Sequence, residues 1–228
     1  MGMIIHATRR TLLRWGDSVR NWRHARRLGK ITAGAPPAYR QYLDEQLQRT
    51  LSKKEAALPG RDREFIDHLA ALADLSNCAV LCVGCRNRQE IDYMRSKGAR
   101  SVTGIDLYSR DPDIQVMDMH AMTFGDAVFD VVYSSHSLEH ALRPDQAARE
   151  FLRVLKPGGL VAVEVPTRYQ VRGSDLHDFG SAENIVALFG GPRVQIVWSG
   201  QTEPDSERQD AGTRNLRVVM RKTSREAL

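Results

Sequence analysis

The chain contains 228 residues, of which 42% are hydrophobic, enough to bury the core of one substantial domain. No apolar run approaches the roughly 18 residues of a membrane-spanning helix, and the apolar patch at residues 3–5 is too short for a signal-peptide core. The net charge of +5 is uneven: lysines and arginines outnumber acids by eight within residues 1–40, which leaves −3 for the rest. All three cysteines fall between residues 78 and 85, which favours a reducing, cytoplasmic setting.

The first predicted element is a basic amphipathic helix. Leu12, Trp15, Val19 and Trp22 recur at three- and four-residue steps and form a narrow apolar stripe among arginines. Such a stripe can pack on the chain's own domain, on a second subunit or on another partner. It can also dock at an anionic membrane surface, which tryptophan and arginine suit, and this would make the protein peripheral to the membrane. A nucleic-acid arm is the weakest of these interpretations.

A Pro- and Gly-containing break at residues 33–37 separates this arm from a polar helix predicted over residues 38–57, in which no residue looks catalytic. Residues 58–60 end that helix, and a regular alternation of strands and helices begins afterwards. We therefore divide the chain into a basic helical extension, residues 1–58, and a globular domain, residues 59–228.

The globular domain is predicted to be an α/β fold with a mostly parallel sheet covered on both faces. The predicted strands are residues 79–83, 101–107, 114–117, 129–134, 160–165, 194–198 and 216–220, and the predicted helices are residues 65–75, 88–97, 145–155 and 181–189. No helix separates the last two strands, so we expect them to form an antiparallel pair at one edge.

Polar residues follow the predicted strands at the sheet edge where such folds bind ligands. After the first strand the apolar run breaks at Gly84, the strand–turn–helix opening of a nucleotide-binding domain, although only the first glycine of G-x-G-x-x-G is present. Asp106 ends the second strand, where a carboxylate can accept hydrogen bonds from a ribose diol. Asp118 and Met119 follow the third strand, where a carboxylate and a backbone amide can read an adenine edge. The fourth strand is followed by Ser134, Ser135 and His136.

In order and spacing, residues 80–85, 104–106, 118–124, 129–140 and 153–159 resemble the class I S-adenosylmethionine-dependent methyltransferases, in particular the small type-11 group. The resemblance extends from about residue 61 to residue 165. It implies a Rossmann-like, seven-stranded, mostly parallel sheet with an antiparallel last strand, and S-adenosyl-L-methionine as cofactor. The implied cofactor contacts are Val83, Gly84, Cys85, Arg86, Asp106, Leu107, Asp118, Met119, Ser134 and Ser135.

The resemblance departs from the family in the first turn. The family usually has an acid at the position of Cys82 and glycines at those of Arg86 and Arg88. An arginine disfavours the positive φ that glycine adopts, and it brings a cation near the sulfonium. The alternative is therefore a non-catalytic binding or scaffold protein that keeps the fold. Cys82 and Cys85 have the spacing of a redox motif, but we interpret them as core thiols.

Methyl transfer from a sulfonium is a direct displacement, so the protein mainly aligns the acceptor and, for a hydroxyl, removes its proton. Histidine is the natural base at neutral pH, and the candidates are His136 and His177. Arg168, Tyr169 and Arg172 precede His177 on a loop that can bind an acidic or sugar-like acceptor. We predict methylation of a small molecule or glycan precursor at oxygen, with RNA methylation as a further alternative.

Residues 136–140 also spell the H-x-x-E-H motif of inverted zinc peptidases, whose side chains share one face of a helix. This stretch lies within the segments that resemble methyltransferases, so we predict no metal site. It is also similar to the Glu-x-x-Glu-His metal site of ubiquinone-pathway O-methyltransferases, with His136 in place of the first Glu. That replacement weakens a site for hard cations, which prefer oxygen ligands.

Overall fold

A computed structural model describes residues 29, 33–52, 57–109, 111–171, 173, 175–203 and 213–223. The predicted apolar stripe from Leu12 to Trp22 lies outside these residues. In the described part of the chain, no helix is both long and apolar enough to span a membrane.

Seven strands form one mixed sheet in the order β3-β2-β1-β4-β5-β7-β6. They are β1 (Ala79–Val83), β2 (Ser101–Asp106), β3 (Ile114–Val116), β4 (Phe129–Ser135), β5 (Leu155–Thr167), β6 (Val194–Gln201) and β7 (Arg214–Lys222). Strands β1 to β5 pair in parallel, whereas β7 pairs antiparallel with both β5 and β6. The predicted seven-stranded sheet with an antiparallel last strand is confirmed.

The α-helices of the described residues are α1 (Pro37–Ser52), α2 (Gly60–Leu72), α3 (Gln89–Ser96), α4 (Pro144–Val154) and α5 (Ala182–Leu188). The helix predicted over residues 65–75 ends early, because the Asp74 side chain accepts a hydrogen bond from the Ser76 N–H at 3.1 Å and caps a separate 3₁₀ turn. The turn predicted at residues 156–159 is an irregularity within β5, since the pairing with β4 jumps from Leu155 to Leu160 there.

Both faces of the sheet are buried, as the continuous apolar runs predicted. Along β1, Leu81 and Val83 pack into one apolar cluster with Phe151, while Val80 and Cys82 pack into a second cluster on the opposite face. The strand order reverses between β1 and β4, with β2 on one side of β1 and β5 on the far side of β4. A crevice opens beyond the carboxyl ends of strands at such a reversal, and it sets the position of the site.

Candidate cofactor and active site

A cleft opens at this reversal, beyond the carboxyl ends of β1 to β4. All but one of the predicted cofactor contacts line it: Val83, Gly84, Cys85, Arg86, Asp106, Leu107, Asp118, Met119 and Ser135. Ser134 is the exception, because it is fully buried, and its hydroxyl makes no hydrogen bond within the described residues. The cleft is therefore built largely from the strand ends that the sequence singled out.

Gly84 is required where it stands. Its φ is +80°, and a Cβ added there would lie 1.9 Å from the Oγ of Ser137. Its N–H donates to the Ile105 carbonyl at 2.8 Å, which fixes the turn against β2. The Ser137 hydroxyl donates a hydrogen bond to the Val83 carbonyl at 3.2 Å, which fixes its position under the turn. The turn thus passes close over Ser137 and exposes backbone, without a side chain, to the cleft.

The two arginines at family glycine positions behave differently. Arg88 turns away from the cleft, and its guanidinium donates to Asp113 at 2.7 Å. Arg86 lines the cleft and adopts a φ of +35°, the positive value that arginine disfavours. Its N–H donates to Asp106 Oδ2 at 3.0 Å and its carbonyl accepts from Ser109 Oγ at 2.7 Å. These bonds offset the cost, so the turn keeps a glycine-like shape.

The carboxylates of Asp106 and Asp118 both line the cleft but differ in their partners. Asp106 accepts backbone N–H groups from Arg86 and, at 2.9 Å, from Tyr108. Asp118 is only 5% exposed, and its Oδ2 accepts from the Tyr39 hydroxyl at 2.6 Å. Its Oδ1 lies 2.7 Å from His120 Nδ1 and accepts the His120 N–H at 2.9 Å. An adenine amino group at Asp118 would therefore share an oxygen with one of these donors.

No site residue was predicted in α1, yet this helix forms one wall of the cleft through Tyr42, Gln46, Arg49 and Thr50. Tyr39, on the same helix, donates to Asp118. A signal was present in the sequence: residues 42, 43, 46 and 47 are the buried positions of α1, and their spacing is that of one helix face. Because Tyr42 and Gln46 are polar, this buried face was not recognised in the sequence.

His136 lies between two buried carboxylates and has a φ of +50°. Its Nδ1 is 3.3 Å from Glu139 Oε1, and its Nε2 is 3.1 Å from Glu164 Oε1. Burial alone would lower the pKa of His136, but the two carboxylates outweigh it and raise that pKa to about 9. At neutral pH the imidazole therefore keeps its proton, which suits a fixed cation better than a base.

His177 does not line the cleft. Its Nε2 donates to the Ala141 carbonyl at 2.9 Å, and its ring stacks on Phe179 with centroids 5.7 Å apart. The Tyr169 hydroxyl donates to the His177 carbonyl at 2.9 Å, so this predicted acceptor residue braces the loop. Arg172, from the same prediction, lies outside the described residues.

The H-x-x-E-H stretch does not form the α-helix on which a peptidase motif depends. His136 has left-handed backbone, and the Leu138–His140 segment is a 3₁₀ turn. Nowhere in the described residues do three or more His, Cys, Asp or Glu side chains gather as a metal site would require. His140 instead lines the cleft, with its Nδ1 3.1 Å from Asp175 Oδ1.

Comparison with known proteins agrees with this geometry. The family model described as "Methyltransferase domain" matches residues 81–163. Phosphoethanolamine N-methyltransferase 1 of Zea mays is 31% identical in an alignment of length 125 that covers 43% of this chain and 25% of that protein. The ubiquinone biosynthesis O-methyltransferase of Paracidovorax citrulli (strain AAC00-1) is 35% identical in an alignment of length 106 that covers 40% of this chain and 44% of that protein. The chain thus spans less than half the length of these relatives.

Among solved structures, the 1,6-didemethyltoxoflavin-N1-methyltransferase of Burkholderia thailandensis superposes with a TM-score of 0.62 at 20% identity. The superposition covers 83% of this chain and 91% of that one, so the two share a fold. The family match over residues 81–163, the strand order and the cleft make this part of the chain similar to a methyltransferase domain, in a fold that the solved methyltransferase shares.

Proposed function

We propose that the chain is an S-adenosylmethionine-dependent methyltransferase that acts on a small molecule or glycan precursor at oxygen. One observation carries the proposal: the Gly84 turn, Asp106 and the Asp118–Met119 segment meet around a single cleft. The retained backbone shape at Arg86 supports it further, because the departure of the turn from the family pattern leaves the turn geometry in place.

The residues present fit this cofactor. The turn at Gly84 lets the backbone approach the methionine part, since a side chain there would collide with Ser137. Asp106 has carboxylate lone pairs to offer a ribose diol, and the Met119 segment can meet the adenine edge. When bound, the cofactor supplies an electrophilic methyl group, so the protein has to align the acceptor and accept any proton it releases.

The acceptor would enter beside α1, where Tyr42, Gln46 and Arg49 line the cleft. The proposal of an oxygen acceptor rests on the likeness to the Paracidovorax citrulli O-methyltransferase. His136 and His177 remain the predicted bases, and His140 joins them because it lines the cleft and its ring is oriented by Asp175. Because His136 keeps its proton at neutral pH, we rank it below His140.

Calorimetric titration of the purified protein with S-adenosylmethionine and S-adenosylhomocysteine tests the proposal. We expect both ligands to bind, and we expect Asp106→Ala to weaken them at least tenfold, because a ribose hydrogen bond to a charged group is worth roughly 1.5–3 kcal/mol. Asp113→Asn is the matched control, since that exposed carboxylate pairs with Arg88 outside the cleft. Absence of both heat and thermal stabilisation would favour the scaffold alternative.

If the cofactor binds, incubation with cell extract identifies the acceptor class. We expect a small molecule to gain the mass of one methyl group, and the gain to be lost in His140→Ala but kept in His68→Ala. His68 lies on α2, its ring is tilted against that of Trp198 with centroids 3.8 Å apart, and it does not line the cleft. A methyl group that appears only on RNA would contradict the small-molecule proposal.

A further inference from the structure

Two acidic side chains of the cleft are not used by the proposed ribose and adenine contacts. Asp62 lies at the start of α2 and Glu90 at the start of α3, and both line the cleft with Gly84. Asp62 accepts a hydrogen bond from the Ser135 hydroxyl at 2.7 Å. Glu90 has a poorer partner, because the donor found for it in the described residues is the Cys82 thiol, 3.8 Å away and a weak donor.

The surroundings of Glu90 favour the arrival of a cation. Burial, then the neighbouring carboxylates of Asp62 and Asp106, raise the pKa of Glu90 to about 8, while His136 acts in the opposite direction. Among the described residues, Cys82, Cys85 and Tyr133 also face it; they are two buried thiols and a buried phenol and supply no positive charge. A carboxyl in this position gains most from a ligand that brings its own positive charge.

We propose that Glu90, with Asp62 beside it, binds the α-ammonium group at the amino-acid end of the cofactor. This rests on the proposed function, in which the Gly84 turn faces that same end. The α-carboxylate has a candidate partner of opposite sign next to Asp62. Arg61 lines the cleft, and its buried Nε lies 3.6 Å from Glu164 Oε1 and makes no hydrogen bond to any described residue. The cleft can therefore recognise both charges of an amino acid.

The proposal has a thermodynamic signature that does not depend on catalysis. Glu90 is mainly protonated in the free protein at pH 7 and must ionise to pair with an ammonium group, so binding releases about one proton. Calorimetry at pH 7 in phosphate and in Tris, buffers with different ionisation enthalpies, measures this release. Affinity should also tighten, by up to roughly tenfold per pH unit, between pH 6 and 7.5, a range in which the ligand's own ammonium stays mostly protonated.

Glu90→Gln keeps the shape and removes the charge. We expect S-adenosylmethionine and S-adenosylhomocysteine to bind it roughly tenfold to a hundredfold more weakly at pH 7.5, with the proton release abolished. 5′-Methylthioadenosine lacks the amino-acid end and should bind both proteins alike. Asp92→Asn, on the exposed face of the same helix, is the matched control. Asp62→Asn should weaken binding but retain the proton release.

The outcomes separate cleanly. Equal affinity of the Glu90→Gln protein and the wild type, with proton release persisting, overturns the assignment. Weakening of S-adenosylmethionine but not of S-adenosylhomocysteine also overturns it, because Glu90 would then sense the sulfonium instead of the ammonium. If the wild-type protein binds neither ligand, the proposed function itself fails. Proton release by the wild type supports the assignment even if the variant does not fold.

Discussion

Buried carboxylates near the cleft fall into two groups, which differ in whether they form salt bridges. On the β4–β5 side, Glu139 and Glu164 are 1% and 0% exposed, yet both are paired with His136. Glu164 also accepts from Arg217 Nε at 2.5 Å. Burial alone would raise the pKa of Glu164, but these cations lower it to about 2, and His136 and His140 likewise lower that of Glu139.

On the β1 side, Asp62 and Glu90 form no salt bridge with any residue that the structure describes, and burial raises the pKa of both. This difference in pairing determines how a buried acid affects stability and ligand binding. A paired acid contributes to the fold above the pH at which it protonates, whereas an unpaired one reduces stability as it ionises and gains from a cationic ligand. Such exceptions to the pairing of buried charges are expected at functional sites.

The largest expected effect comes from breaking the paired side. Arg217→Met leaves Glu164 buried without its closest partner and should lower the free energy of unfolding by about 3–5 kcal/mol, measured by urea denaturation at pH 7. Arg221→Met is the control, since that exposed arginine on the same strand donates, within the described residues, only to the Gly158 carbonyl and should change stability by about 0.5 kcal/mol or less. A loss below about 1 kcal/mol for Arg217→Met would mean that His136 and Arg61 suffice for Glu164.

Glu90→Gln, unlike Arg217→Met, should increase the free energy of unfolding. The pKa of Glu90 rises from 4.5 to about 8 on folding, so its contribution is fully present below pH 4.5 and is lost as the pH rises towards 8. The variant lacks this loss and should be about 2 kcal/mol more stable than the wild type at pH 8. The whole pKa shift of Glu90 corresponds to a stability gain of at most about 5 kcal/mol, and we expect less because water in the cleft screens the charge.

Urea denaturation of the wild type and the Glu90→Gln variant at pH 5.5 and pH 8 measures this effect. The stability gap between them should widen with pH, while Asp92→Asn should show no such widening, because that carboxylate is exposed to solvent. A gap that is constant across the pH range would place Glu90 among the paired acids and remove the contrast between the two sides.

Local rules explain what the sequence predicted correctly. The strand at Ala79–Val83 has the predicted bounds because a five-residue apolar run with both faces buried is a local pattern. Asp106 and Asp118 reach the cleft because the carboxyl ends of parallel strands meet at one edge. Position along the chain was enough to bring these residues together.

Partners that depend on register or docking could not be predicted. Glu164 and Arg217 are direct neighbours in the β5–β7 pairing, but they are 53 residues apart in sequence, and no local pattern sets that register. The prediction that His136 acts as a base had the same limitation, because Glu164, whose Oε1 lies 3.1 Å from His136 Nε2, belongs to the distant strand β5. The spacing of H-x-x-E-H also could not distinguish an α-helix from a 3₁₀ turn.

The smallest expected effect tests a neutral partner of a buried acid. Tyr39→Phe removes one of the donors to Asp118, and His120 remains, so we expect a loss of about 1 kcal/mol in urea denaturation at pH 7. Tyr93→Phe is the matched control, because its hydroxyl donates at 3.0 Å to the exposed Asp67 and should matter less.

The pH dependence of this loss distinguishes a hydrogen bond from simple packing. Burial would raise the pKa of Asp118, but His120 and Tyr39 together lower it, so its contribution is present above its ordinary pKa and is lost as the pH falls. The gap between the wild type and Tyr39→Phe should therefore shrink on acidification below about pH 4, where Asp118 protonates in the unfolded chain. A gap that does not change with pH would mean that the ring contacts of Tyr39 with His120 and Arg143, and not its hydroxyl, attach α1 to the cleft.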